Sequence, residues 1–217
     1  MTRPTSTFDL VAGLSALVVM FLILVPSAAP ALPWIKALPA LAWAASFLGG
    51  KGPGRILPTV ALGVAALGDF LLADGSQFLL GVVAFALFQI LFSFRFWIDA
   101  KNKPRPRRGV WAAPVIYAAA TILLLAGCLP RVGSLAIPMA LYGVLLTAMA
   151  SGTVAAGRGW KLAWGGALFY VSDAFILTFR AWPVPFSTDW IILIPYYLGL
   201  YLIVKGFSGA SPSPAYR

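Results

Sequence analysis

WGGALFYVSDAFILTF, residues 164–179, is an apolar run that surrounds a single acid, Asp173. A second run, VALGVAALGDFLLA at residues 60–73, surrounds Asp69 in the same way. Runs of this kind are typical of membrane helices, which need about 20 mostly apolar residues. An ionised carboxylate inside such a helix costs at least about 2.5–3.5 kcal/mol. Two acids kept at this cost are therefore the first candidates for function.

The composition indicates a membrane location for the whole chain. Of the 217 residues, 61% are hydrophobic and 10% are charged, and the mean hydropathy is +0.91. Soluble domains have about 25% charged residues. The apolar runs also lack the period-two alternation of a transmembrane β-barrel. The sequence therefore predicts an all-α, polytopic helix bundle.

Eight apolar runs predict eight transmembrane helices, which form one domain over residues 1–207. They lie near residues 8–26, 33–49, 57–73, 77–97, 109–127, 133–154, 160–181 and 188–206. The second and third runs are short and flanked by Pro and Gly, so seven spans remain an alternative. The first run lacks a cleavage pattern of small residues, and we expect it to be retained. SGASPSPAYR, residues 208–217, is small, polar and punctuated by Pro, which predicts a disordered tail.

The basic residues orient this bundle. With eight spans, most of the 16 Lys and Arg residues lie on one side, and only Lys36, Arg131 and Arg180 lie on the other. The larger group consists of Arg3, Lys51, Arg55, Arg95, Lys101, Lys103, Arg105, Arg107, Arg108, Arg158, Lys161, Lys205 and Arg217. An excess of Lys and Arg marks cytoplasmic loops, so both termini are predicted to be cytoplasmic, in an inner or plasma membrane. We interpret KNKPRPRR, residues 101–108, as a loop that contacts anionic lipid and not nucleic acid.

The inventory of reactive side chains is narrow. The chain has six acidic residues, all of them Asp, together with one Cys and no His. A Ser-His-Asp triad is therefore excluded. The apolar runs lack the usual ligands of zinc, so we expect no metal, and we expect no organic cofactor. The single Cys128 excludes an intramolecular disulfide and is interpreted as a buried thiol.

The two acids are predicted to lie at one depth in the bilayer. At about 1.5 Å of rise per residue, Asp69 is roughly 18 Å and Asp173 roughly 20 Å from the cytoplasmic ends of their helices. Lys36 can reach the same level with its long stem, as a cationic partner, or it can serve as an interfacial anchor. Tyr196 and Tyr197 lie too deep for an interfacial belt and are candidates to line a cavity.

Five segments, taken in chain order, resemble the motifs of the YhhN family, which includes the transmembrane lysoplasmalogenases. They are IKALPAL at residues 35–41, LGDFLL at 67–72, GVVAFALFQILF at 81–92, GALFYVSDAFIL at 166–177 and PYYLGLYLI at 195–203. The resemblance covers about residues 33–206 and is most specific at the two Asp motifs.

The resemblance implies hydrolysis of the vinyl ether bond of lysoplasmalogens, which releases a fatty aldehyde and a glycerophospho-choline or -ethanolamine. It also implies that Asp69 and Asp173 are the catalytic residues. The chain departs from the family pattern where members usually have a histidine followed by a tyrosine, because it has Gln89 and Phe92 there. Ala37 likewise replaces a proline. Gln89 can donate and accept hydrogen bonds but cannot titrate as an imidazole does.

Vinyl ether hydrolysis needs one acid that protonates the β-carbon and one anion that stabilises the oxocarbenium ion. Two carboxyls in different environments can divide these tasks, as they do in glycosidases. We expect Asp173 to be the acid and Asp69, near Lys36, to be the carboxylate, and the reverse assignment is also open. The candidate substrate-binding residues, with the phosphate near Lys36 or Arg180, are Lys36, Gln89, Arg180, Tyr196 and Tyr197.

Three other interpretations remain open. The chain can be a proton-coupled carrier of a lipid or small amphiphile, in which buried acids couple transport to protons. It can be a hydrolase of another lysolipid, such as an ester. The Asp pair can also be purely structural. The expected partners are a lysophospholipid substrate and membrane lipids, and the sequence makes no prediction of the oligomeric state.

Overall fold

The computed structural model describes residues 6–25, 31–48, 55–73, 75–101 and 112–208. Within these ranges the chain forms eight α-helices and no β-strand, which confirms the predicted all-α class. The helices are α1 (Ser6–Leu22), α2 (Leu32–Leu48), α3 (Ile56–Leu72), α4 (Phe78–Lys101), α5 (Ala112–Cys128), α6 (Ala136–Ala155), α7 (Trp160–Ala181) and α8 (Asp189–Ser208). Two short 3-10 turns, Leu129–Arg131 and Gly133–Leu135, join α5 to α6.

In the described part of the chain, five helical segments are long and apolar enough to cross a membrane. They are Phe78–Lys101, Ala112–Arg131, Gly133–Ala155, Trp160–Ala181 and Asp189–Phe207. The other three helices, α1 to α3, are apolar but have 17 residues each, somewhat fewer than the roughly 20 that a span needs. These lengths and compositions are those of a membrane protein.

The helix bounds follow the predicted spans closely. Helix α7 coincides with the predicted span 160–181, whereas α1 ends at Leu22 instead of 26 and α4 continues to Lys101 instead of 97. The predicted tail from residue 209 onwards and the basic run 102–108 lie outside the described residues. So do these basic residues that were counted for the orientation: Arg3, Lys51, Lys103, Arg105, Arg107, Arg108 and Arg217.

Glycines bring α7 and α8 into backbone contact. A Cβ atom built on Gly165 would lie 2.7 Å from the backbone nitrogen of Ile203, and one on Gly199 would lie 2.8 Å from that of Phe169. Small residues allow this close approach between membrane helices. The contact fixes the position of Asp173, on α7, relative to the tyrosines of α8.

An aromatic column on α4 fills the centre of the bundle. Its four rings, spaced three or four residues apart and hence on one helix face, are Phe85, Phe88, Phe92 and Phe96. The ring centroids of Phe88 and Phe92 are 5.0 Å apart, and those of Phe92 and Phe96 are 5.3 Å apart. The column packs on α7 through Phe169, which stacks on Phe88. These rings form a continuous apolar core along α4.

Ion pairs join the helix ends at one end of the bundle. Arg158, between α6 and α7, donates to Asp99 of α4 at 2.7 Å and to the carbonyl oxygen of Phe207 in α8 at 3.1 Å. Lys205, near the end of α8, pairs with Asp9 at the start of α1. The first and last helices therefore begin and end on the same side. The opposite end, where α8 begins, carries the candidate site.

Candidate active site

Asp69 lies three residues before the end of α3, and its carboxyl is buried, with 4% of the residue exposed. The hydroxyl of Tyr196, on α8, donates to Asp69 Oδ2 at 2.8 Å. Beside the acid, a Cβ atom on Gly68 would lie 2.7 Å from the ring of Phe85, so the missing side chain lets α4 approach closely.

Asp173 is equally buried and is held by two other helices. Its Oδ2 accepts a hydrogen bond from the Tyr142 hydroxyl of α6 at 2.5 Å and from Gln89 Nε2 of α4 at 3.2 Å. Gln89 is completely buried, and its Oε1 has no hydrogen-bond partner among the described residues. Rotation of the amide by about 180° would let this oxygen accept a hydrogen bond from a protonated Asp173. Gln89 can therefore hydrogen-bond to Asp173 in either protonation state of the acid.

The two acids open onto one cavity of about 150 Å³. Its polar lining consists of Lys36, Asp69, Ser172, Asp173, Asp189 and Tyr196. A cavity of this volume with polar groups in its wall has room for several water molecules. Asp69 is near enough to both Lys36 and Asp173 for electrostatic interaction, but Lys36 and Asp69 form no direct ion pair. The cavity thus brings two carboxyl groups, one ammonium group and space for water together.

A second, smaller cavity of about 30 Å³ lies on the other side of Asp173. Its walls are mostly apolar and include Val82, Leu124, Leu125, Met139, Leu146 and Leu177. Both cavities are lined by Asp173, Leu72, Phe85 and Ile176. Asp173 therefore lies between a larger cavity with several polar groups in its wall and a small, mostly apolar one, whereas Asp69 lines only the larger cavity.

Residues 31–207 match the model of the YhhN family. The chain belongs to the YhhN family. This confirms the resemblance drawn from the five motifs, all of which lie within the matched residues. Neither the curated proteins nor the solved structures include a match to the chain.

Two departures of this YhhN chain from the family pattern have different consequences. Gln89 keeps a polar contact, because its amide reaches Asp173. Phe92, where family members usually have a tyrosine, is 1% exposed and lies between the rings of Phe88 and Phe96. Position 92 is therefore part of the apolar column and contributes no polar group to the cavity.

Three of the predicted substrate-binding residues do not line the cavity. Gln89 hydrogen-bonds to Asp173, which lines the cavity, but is not itself part of the lining. The hydroxyl of Tyr197 donates to the backbone carbonyl of Lys36 at 3.3 Å, so this side chain ties α8 to α2. The guanidinium of Arg180 lies 4.7 Å from the ring centre of Phe78, which does line the cavity. Arg180 is thus next to the cavity wall but does not form it.

Sequence reasoning missed Tyr142 and Asp189. Tyr142 is one hydroxyl in the apolar run of α6, and only the tyrosines of α8 were considered as cavity residues. Asp189 begins α8 and was given no role, although it lines the cavity. A search for every polar side chain in the outer half of each predicted span would have included both. Among the described residues, no group of three or more His, Cys, Asp or Glu side chains forms a potential metal site.

Proposed function

We propose that the protein is a lysoplasmalogenase-like membrane hydrolase, which cleaves the vinyl ether bond of a lysoplasmalogen to a fatty aldehyde and a glycerophospho-choline or -ethanolamine. The convergence of the buried residues Asp69 and Asp173 on one cavity carries this proposal. Membership of the YhhN family supports it. Insertion of an aspartate into a membrane segment also costs free energy, so the presence of two favours a functional role.

The reaction begins with a protonated Asp173 and an ionised Asp69. Asp173 gives its proton to the β-carbon of the vinyl ether, and the resulting oxocarbenium ion is stabilised by the Asp69 carboxylate. Water adds to the cationic carbon while Asp69 takes one of its protons, which gives a hemiacetal. Asp173 then takes the hemiacetal hydroxyl proton and Asp69 protonates the departing glycerol oxygen. Aldehyde and alcohol leave, and both acids regain their first state.

The boundary position of Asp173 supports its assignment as the acid. The carbon to be protonated lies on the hydrocarbon side of the ether oxygen, and Asp173 borders the apolar cavity. Asp69 lines the larger cavity with Lys36, whose ammonium group favours the charged form of a nearby carboxyl. Tyr142 and Gln89 hold the Asp173 carboxyl and stabilise the carboxylate that forms when its proton leaves.

We also propose that all eight helices cross an inner or plasma membrane and that both termini are cytoplasmic. The excess of basic residues at one end supports this orientation. The Lys205 to Asp9 pair, which joins the start of α1 to the end of α8, is consistent with an even number of crossings. The cavity then faces the outer half of the bilayer, where a lysophospholipid can enter from the side with its phosphate near Lys36 or Arg180.

The test uses purified Asp69→Asn and Asp173→Asn proteins with lysoplasmenylethanolamine as substrate. Each substitution removes a proton carrier of the cycle, and we expect aldehyde release to fall at least about a hundredfold. Asp9→Asn, at the opposite end of the bundle, is a control that keeps the rate. Parent rates in both correctly folded site variants would refute the mechanism.

Mass spectrometry of the products separates the alternatives. Aldehyde marks vinyl ether cleavage, and fatty acid from an ester lysolipid marks a hydrolase of another substrate. Movement of intact lysolipid across liposomes without cleavage marks a carrier.

A further inference from the structure

Asp189 is an acidic residue of the cavity wall that the proposed reaction does not use. It is half-buried at the start of α8, and its Oδ2 accepts a hydrogen bond from the Ser187 hydroxyl at 2.8 Å. None of the ion pairs among the described residues involves Asp189 or Lys36. The cavity therefore presents one carboxylate and one ammonium group that do not neutralise each other directly.

The spacing along α8 suits a phospholipid headgroup. Asp189 precedes Tyr196, the partner of Asp69, by seven residues, which corresponds to about 10 Å along a helix. About nine bonds separate the ether oxygen of a lysoplasmalogen from the nitrogen of ethanolamine or choline, so an extended headgroup spans about 10 Å at bond lengths near 1.5 Å. A lipid whose vinyl ether lies at the two catalytic acids can thus place its nitrogen at Asp189.

We propose that Asp189 binds the ammonium group of the substrate headgroup and selects a primary amine over a quaternary one and over headgroups without an amine. This inference rests on the proposed function, because it places the reactive bond at Asp69 and Asp173. Lys36 then faces the negative phosphate, and Asp189 faces the positive ammonium group.

The preference for a primary amine follows from the groups around Asp189. A primary ammonium donates charge-assisted hydrogen bonds to a carboxylate, which a quaternary ammonium cannot do. Quaternary ammonium groups are instead bound by open aromatic faces. The guanidinium of Arg180 covers a face of the Phe78 ring in the cavity wall. Phe85 and Tyr196 are buried and pack edge to face, with ring centres 5.7 Å apart. The lining therefore offers a hydrogen-bond acceptor and no aromatic cage.

Binding of non-cleavable lipids tests the inference separately from the chemistry. The full-length protein in nanodiscs is titrated with three saturated ether lysolipids, which carry phosphoethanolamine, phosphocholine or phosphate alone. These lipids lack the double bond that the acid protonates. We expect the ethanolamine lipid to bind about tenfold more tightly than either of the others, and Asp189→Asn to abolish this preference. Asp189→Glu keeps the charge and should restore most of the preference.

The outcomes separate the inference from the proposed function. Equal affinities for the three lipids in the parent protein, or an equal loss for all three in Asp189→Asn, would overturn the role of Asp189. If that happens while the vinyl ether lipid still yields aldehyde, the proposed function stands alone. If the ethanolamine preference is found and depends on Asp189 but no aldehyde forms, the headgroup site stands and the hydrolase proposal fails.

Discussion

Removal of the Tyr142 hydroxyl is expected to slow aldehyde release by about tenfold to a hundredfold. In the structure this hydroxyl donates to Asp173 Oδ2 at 2.5 Å, and among the described residues only Gln89 also donates to that oxygen. In the proposed reaction Asp173 becomes a carboxylate as it protonates the substrate, so the bond from Tyr142 strengthens in the transition state. A hydrogen bond to a charged group contributes about 1.5–3 kcal/mol. Because about 1.4 kcal/mol corresponds to a tenfold change in rate, the stated range follows.

The assay measures kcat and KM of Tyr142→Phe with lysoplasmenylethanolamine, together with the midpoint of thermal unfolding. Phenylalanine keeps the ring that packs against the core, and Gln89 still donates to Asp173, so the midpoint should change little. The loss should appear in kcat and not in KM, since the hydroxyl acts on the acid and not on the bound lipid. Tyr117→Phe, on α5, removes a hydroxyl that does not contact Asp173 and serves as the matched control. A parent rate in Tyr142→Phe, or an equal loss in the control, would contradict this role.

Two further predictions concern stability. Gly199→Ala adds a Cβ atom 2.8 Å from the backbone nitrogen of Phe169 and should lower the free energy of unfolding by about 1–3 kcal/mol, whereas Gly63→Ala, with no atom within 4 Å, should not. Thermal unfolding in detergent measures both, and equal midpoints would show that α7 and α8 can separate without cost. Phe92→Tyr places a hydroxyl in the aromatic column and should cost about 1–3 kcal/mol, because the rings that contact Phe92, those of Phe88, Phe96 and Phe207, offer no acceptor. An unchanged midpoint in that variant would mean that the hydroxyl reaches a polar partner.

The sequence predicted the helices well because apolar length is set by the bilayer. The same argument gave the depth of the two acids, and their common depth is why Asp69 and Asp173 were expected to meet. Depth does not determine which way a side chain points around its helix. Tyr196 and Tyr197 are neighbours about 100° apart on α8, and the sequence offered no reason to separate them. Only packing against α2 and α3 directs Tyr196 to Asp69 and Tyr197 to the backbone of Lys36.

The orientation of α6 shows the same limit. Its apolar residues are distributed almost evenly around the helix, so no polar face marked Tyr142 as a cavity residue. The hydroxyl reaches Asp173 because α6 packs on α7. Asp189 was missed for a different reason. The ends of spans commonly carry charged residues, so an acid at that place did not indicate a function. Both residues were found only when the helices were placed relative to each other.

The replacement of the family histidine by Gln89 is compatible with the proposed cycle. Each step moves a proton between the substrate, water and one of two carboxyls, and each acid ends the cycle as it began. No third titrating group is needed to balance the protons. What Asp173 needs is a neighbour that holds its carboxyl in both protonation states, and an amide with one bound nitrogen and one unpartnered oxygen provides this. In the proposed cycle, the substitution therefore leaves the proton transfers with the two aspartates.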